Sequence, residues 1–156
     1  MLVREIMTTG VKTARPDTPI RDIAAQMCLN RISGMPVTDE NDLIVGIVSE
    51  KDILHHMFPD VQELMENGPQ QFEMLERNYQ SVIGLKASDL MTRAVATVAP
   101  DMPVLKAAAL MWLKKVRRIP VAEEGRLVGI ISIGDVHRAI FQTNLMGSQP
   151  SKAANG

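Results

Sequence analysis

Short apolar runs alternate along this chain with stretches in which apolar side chains recur every three or four positions. The run "VKTA" at 11–14 reads as a short strand, closed by Arg15-Pro16. Thr18 offers a helix N-cap with Pro19 at the first helical position. Ile20, Ile23, Ala24, Met27 and Cys28 then follow at helical spacing and form one apolar face. "GMPVT" at 34–38 is a second strand, because proline biases the residue before it towards extended geometry. "ENDL" at 40–43 is a turn, and "IVGIV" at 44–48 is a third strand, apolar throughout and therefore expected to be buried. Ser49 opens a short helix expected to run through Met57. The order is strand, helix, strand, strand, helix.

The same order returns. With residue 3 placed on residue 87, Met7-Thr8 falls on Met91-Thr92, Thr13 on Thr97, Pro16-Asp17 on Pro100-Asp101, and Pro19 on Pro103. "MPV" at 35–37 falls on "IPV" at 119–121. The offset then drops from 84 to 83, since "DENDLIVG" is one residue longer than "EEGRLVG". A deletion in a turn is where one is tolerated. "GIVSEKD" (46–52) thus matches "GIISIGD" (129–135) because the whole unit is duplicated. Val104, Ala107, Ala108, Met111 and Trp112 form the helix face of the second copy.

One copy of about 55 residues is marginal alone. Two copies packed sheet to sheet bury a shared core and create two related clefts. The expected fold is therefore α+β: two β-α-β-β-α repeats related by a pseudo-twofold, at 3–58 and 87–145. Residues 59–86 break the repeat and read as two helical pieces around Gly68-Pro69, with Leu64, Met65, Phe72 and Leu75 as a candidate apolar stripe. The small, polar tail at 146–156 reads as disordered.

Composition changes this picture in three ways. At 156 residues, 46% of them apolar, the chain has material for a real interior; aromatics are only 3%, and eleven methionines act as flexible filler. No apolar run approaches the roughly 18 residues of a membrane span, and the charged "MLVREIMTTG" does not resemble a signal peptide. One cysteine fits a reducing compartment, so a cytoplasmic protein without membrane association is expected. The net charge of −1 argues against a general nucleic-acid binder. The charge is uneven, though. Residues 1–58 carry a net −2, residues 59–86 a net −3, and residues 87–145 a net +3.

Taken together, "IMTTGVKT", "MPVTDENDLIVGIVSEKD", "LMTRAVAT" and "RRIPVAEEGRLVGIISIGD" resemble a tandem pair of cystathionine-β-synthase (CBS) domains, a Bateman module. The resemblance covers residues 3–58 and 87–142. It implies a regulatory module that binds an adenosine-containing ligand between the repeats: AMP or ATP first, S-adenosylmethionine or NAD as alternatives. It also implies a homodimer paired through helices, and a regulated protein partner reached in trans.

Ser49-x-x-Asp52 and Ser132-x-x-Asp135 have the spacing of a capping box, which on its own closes the first turn of a helix. Capping and binding are compatible. A helix start presents free N–H groups, and a carboxylate there has lone pairs enough for two vicinal ribose hydroxyls. The family uses its matching aspartate for the ribose, which assigns Asp135 that role. Arg117-Arg118 match a His-Arg pair that contacts phosphate in the nucleotide-binding subunits of AMP-activated protein kinase, and an arginine fork suits phosphate oxygens. With Lys114 and Lys115 they also read simply as a solvated helix end. In the first copy Ser33-Gly34 stand in their place. The family's pseudo-symmetry then gives one site from Thr8, Val11, Lys12, Ser33, Gly34, Arg117, Arg118, Ser132 and Asp135. A second, without an arginine pair, comes from Ser49, Asp52, Thr92, Val95 and Ala96, and is empty, weaker, or suited to a less anionic ligand.

Other residues keep ordinary readings. Cys28 is expected in the core, and Trp112 in the core or a dimer interface. His55 and His56 are adjacent and diverge by roughly 100° on a helix, His137 stands alone, and no cluster has zinc spacing. With no Gly-x-Ser-x-Gly, Walker or dinucleotide fingerprint, no catalytic constellation and no metal site is nominated, and a non-enzyme is expected. The competing readings are a ligand-free interaction scaffold, a weak nucleotide hydrolase, and a nucleic-acid binder with salt-sensitive affinity.

Overall fold

A computed structural model describes residues 1–58, 61–66 and 70–146. The elements in chain order are α1 (Val3–Ile6), α2 (Ile20–Asn30), β1 (Gly34–Thr38), β2 (Ile44–Ser49), α3 (Glu50–His55), α4 (Val61–Glu66), α5 (Gln70–Val82), α6 (Ala87–Leu90), α7 (Val104–Lys114), β3 (Arg118–Glu123), β4 (Arg126–Ser132) and α8 (Ile133–Met146). Strands pair antiparallel as β1-β2 and β3-β4, two small sheets in a mixed helix-and-strand protein. The duplication survives in the registers: Gly34 faces Ser49 as Arg118 faces Ser132, and the shift after Val37 has its counterpart after Val121.

The chain forms two units whose boundaries differ from those of the repeat. The first unit is Lys12–Val95; the second joins Met1–Val11 to the chain from Ala96 onward. The lead-in segment of each repeat therefore belongs to the unit built on the other repeat. Hydrogen bonds show why. Val3 N–H donates to Met102 O and Arg4 N–H to Pro100 O, both at 2.9 Å; Ala87 N–H donates to Thr18 O and Ser88 N–H to Pro16 O, also at 2.9 Å. Thr8 and Ile130 exchange backbone bonds of 2.8 and 2.9 Å, and Thr92 and Ile47 exchange bonds of 2.9 and 3.0 Å. Each pair of interactions repeats the other at the sequence offset.

Two glycines admit these segments. A Cβ on Gly129 would lie 2.7 Å from Met7 Sδ and 2.9 Å from the backbone oxygen of Thr8. One on Gly46 would lie 2.6 Å from Met91 Sδ. Both glycines sit between β-branched neighbours, Val45 and Ile47 in β2 and Val128 and Ile130 in β4, because a neighbouring segment comes too close for a side chain.

The buried side chains form two clusters, one per unit. Ile20, Ile23, Met27, Met35, Val37 and Val48 pack with Ala87, Leu90 and Met91 in the first. Val104, Ala107, Met111, Ile119, Val121 and Ile131 pack with Val3 in the second. Several sequence expectations are corrected here. The segments "VKTA" and its copy are not strands but single parallel bridges, Ala14 to Val37 and Val98 to Val121. Helix α2 starts one residue late, with Pro19 as N-cap, and the Thr18 hydroxyl instead accepts the Arg15 N–H at 2.8 Å. Helix α3 stops at His55 rather than Met57. Strand β2 is only alternately buried.

Cys28 is exposed, since the stripe at 20, 23 and 27 already fills the face of α2 that meets the core. Trp112 is 83% exposed, so it is no core residue of this chain. Of the stripe expected at 59–86, Leu75 is buried, Met65 is 76% exposed, and the side chains of Leu64 and Phe72 lie outside the described residues. Gly68-Pro69 and all but Met146 of the tail lie outside them too.

The long helices α2 and α7 end on non-glycine residues in left-handed geometry, Arg31 (φ 51°) and Lys115 (φ 56°). Lys115→Gly removes the steric cost of that conformation and raises stability by about 1 kcal/mol. Chemical denaturation checks it through a higher midpoint at unchanged slope.

Candidate functional site: the paired Ser-x-x-Asp turns

In the second unit, β4 delivers Ser132 directly into the first turn of α8. Ser132 N–H donates to Asp135 Oδ2 at 2.8 Å, and Asp135 N–H donates to Ser132 Oγ at 3.0 Å, a reciprocal capping box. The Ile133 N–H donates to Arg117 O at 2.8 Å, which ties the stretch before β3 to the start of α8. Arg118, in register with Ser132, opens β3. Thr8 is bound to Ile130, two residues before Ser132. The fold thus gathers Thr8, Arg117, Arg118, Ser132 and Asp135 at one end of the β3-β4 ribbon, with both arginines exposed. A carboxylate, a hydroxyl and two guanidiniums in this arrangement have the donors and acceptors to receive a diol and an anion.

The first unit holds the counterpart. Asp52 Oδ2 accepts from the Ser49 N–H at 2.8 Å and from the Ser49 hydroxyl at 2.9 Å, and Asp52 N–H donates to Ser49 Oγ at 3.2 Å. Glu50 N–H donates to Ser33 O at 2.9 Å, as Ile133 does to Arg117. Thr92 is bound to Ile47. The equivalence of Ser33-Gly34 with Arg117-Arg118, read from the alignment, therefore holds in the backbone.

The remaining nominated residues divide between the units. Val11 belongs to the second unit with Asp135, whereas Lys12, Ser33 and Gly34 belong to the first with Asp52. Val95 belongs to the first and Ala96 to the second.

Sequence reading missed one residue. Arg138 Nη2 donates to Asp135 Oδ1 at 2.6 Å, an ion pair with the arginine side chain 67% and the aspartate 18% exposed. The signal was present as Asp-x-x-Arg at i, i+3 on a helix. A separate depression of about 590 Å³ in the first unit is lined by Arg15, Pro16, Asp17, Asp39, Glu40 and Asn41, none of them a nominated residue. Among the described residues no group of three or more His, Cys, Asp or Glu side chains is placed to hold a metal ion. No helix among them is long and apolar enough to cross a membrane.

The family model of the CBS domain matches residues 3–59 and 87–142. The chain belongs to the CBS-domain family. This CBS pair is 30% identical over 155 residues to an uncharacterized protein of Methanocaldococcus jannaschii, covering 90% of this chain and 92% of that one. It is 32% identical to the chloroplastic CBS domain-containing protein CBSX1 of Arabidopsis thaliana, covering 94% of this chain and 67% of the relative. Among solved structures, CBSX2 from Arabidopsis thaliana superposes with a TM-score of 0.76 at 29% identity, covering 92% of this chain and 96% of that one. A second CBSX2 structure, in complex with AMP, superposes with a TM-score of 0.72.

Proposed function

We propose that this CBS pair is a sensor of adenosine-containing ligands, with its anionic-nucleotide site at Asp135. The observation that carries the reading is the gathering of Thr8, Arg117, Arg118, Ser132 and Asp135 at one end of the β3-β4 ribbon. The AMP complex of CBSX2, at 29% identity, supports adenosine as the ligand class. In this reading the Asp135 carboxylate receives the ribose hydroxyls, and Arg117 with Arg118 receives the phosphate. Thr8 and Val11, in the same unit as Asp135, line the adenine side in this reading. AMP or ATP is the expected ligand here. The turn at Ser49-Asp52, with Thr92 and Val95 of the same unit and no arginine pair, is empty, weaker, or suited to a less anionic ligand.

The sensor acts in the cytoplasm, performs no catalysis, and biases a protein partner only through a difference in ligand affinity between two arrangements of the pair. It works as a homodimer. Supporting this is the exposed apolar surface of α7 and α8, where Leu105, Trp112, Leu113, Phe141 and Leu145 face solvent in the single chain. Such a concentration of large apolar side chains marks an interaction surface.

Thermal unfolding of the full chain with AMP, ADP, ATP, S-adenosylmethionine and NAD tests the reading. A ligand at about 100 times its dissociation constant adds roughly 2.7 kcal/mol, an upward shift of several degrees at this chain length. At least one of the five is expected to produce it. No shift with any of them overturns the sensor and favours the ligand-free scaffold.

A further inference from the structure

We infer that Arg138 sets the charge preference of the Asp135 site. Its guanidinium cancels the carboxylate that receives the ribose, so the site takes the anionic nucleotide in preference to the neutral nucleoside. The inference rests on the reading above, in which Asp135 holds a ribose.

Three observations carry it. The Arg138 guanidinium lies 2.6 Å from Asp135 Oδ1 while Ser132 N–H occupies Oδ2. It folds back over the first turn of α8, where a Cβ on Gly134 would lie 3.3 Å from Nη1 and 3.9 Å from Cζ of Arg138. Gly134 leaves the space that a side chain would take. The sister turn in the first unit lacks the arrangement. There Lys51 and His55 occupy the places of Gly134 and Arg138, and among the described residues no ion pair reaches Asp52.

The chemistry follows from charge and lone pairs. An ionised carboxylate has about four acceptor positions, so Asp135 keeps its bonds to Ser132 and Arg138 and still accepts two hydroxyls. A nucleotide held there by its diol carries its phosphate close to that carboxylate, inside the roughly 8 Å screening length of physiological salt. A bare carboxylate would repel the phosphate. Paired with Arg138 it does not, and the net charge of the cluster is then set by Arg117 and Arg118. In the first unit no ion pair among the described residues covers the Asp52 carboxylate: Lys51, the residue before it on the helix, points about 100° away, and His55 makes no ion pair with it. The two turns therefore differ in the ligand charge they tolerate.

Calorimetric titration of AMP and of adenosine into the full chain, Arg138→Gln and Arg138→Lys tests this, with Asp135→Ala to identify the site. Arg138→Gln is expected to lower AMP affinity about fivefold, the upper range for an exposed ion pair, while adenosine affinity stays unchanged or rises. Arg138→Lys is expected to restore most of the AMP preference, which a purely structural role would not do. An unchanged ratio of AMP to adenosine affinity, or tighter AMP binding, in Arg138→Gln overturns the inference and leaves the sensor reading standing. AMP binding that survives Asp135→Ala at full strength places the nucleotide elsewhere and also overturns it. A wild-type chain that binds neither compound overturns the sensor reading, and this inference with it.

Discussion

Gly129→Ala lowers the unfolding midpoint by roughly 3 to 10 °C, from about 1–3 kcal/mol of overpacking. The new Cβ meets the Thr8 carbonyl oxygen at 2.9 Å as well as Met7 Sδ at 2.7 Å. A methionine side chain can turn away. The Thr8 carbonyl cannot, because it accepts the Ile130 N–H at 2.9 Å while Thr8 N–H donates back to Ile130 at 2.8 Å. Relief therefore requires loosening the lead-in segment from β4. Amide hydrogen exchange at Thr8 and Ile130 should accelerate in the variant. Gly46→Ala is the internal control, since its three nearest atoms all belong to the Met91 side chain. Its loss should be clearly smaller. Equal losses at the two glycines would mean that the exchanged backbone ladder contributes nothing particular to the second unit.

Asp135→Ala should cost about 1.5–3 kcal/mol of adenosine-nucleotide affinity, the range for hydrogen bonds to a charged acceptor, or roughly 10- to 150-fold. The same change also removes one side of the capping box at Ser132 and lowers stability by about 1 kcal/mol. Asp135→Asn separates the two roles. An amide oxygen still accepts the Ser132 N–H, so the fold is retained, but the charge that strengthens the ribose bonds is gone. Asn should therefore recover most of the stability and little of the affinity, as read by equilibrium titration with AMP beside a thermal scan. Recovery of both by Asn would reduce Asp135 to a helix cap.

The duplication was fully legible in sequence because its markers, Met-Thr, Pro-Asp and Gly-Ile-x-Ser-x-x-Asp, are short, ordered and repeated. Both capping boxes were legible for the same reason, since Ser and Asp three apart carry their geometry locally. The exchange of lead-in segments was not legible from periodicity. Val3 and Ala87 are buried by partners far along the chain, which no local spacing announces. Cys28 misled because helical spacing gives the direction of a face but not its width; the core reaches Met27 and stops. The strands expected at 11–14 and near 95–98 each reduce to a single bridge, since one residue of each meets a neighbouring strand. Arg138 was overlooked because an isolated arginine on a helix ordinarily means a solvated face.

The central claim is that an adenosine nucleotide seats on the Ser132–Asp135 turn. Amide resonances of the full chain recorded with increasing AMP test it most directly. The account predicts saturable shifts centred on Ser132, Ile133, Gly134 and Asp135, with Arg117 and Arg118 moving on the same binding curve. Shifts confined to Ser49–Asp52, or no shift at millimolar AMP, would contradict it.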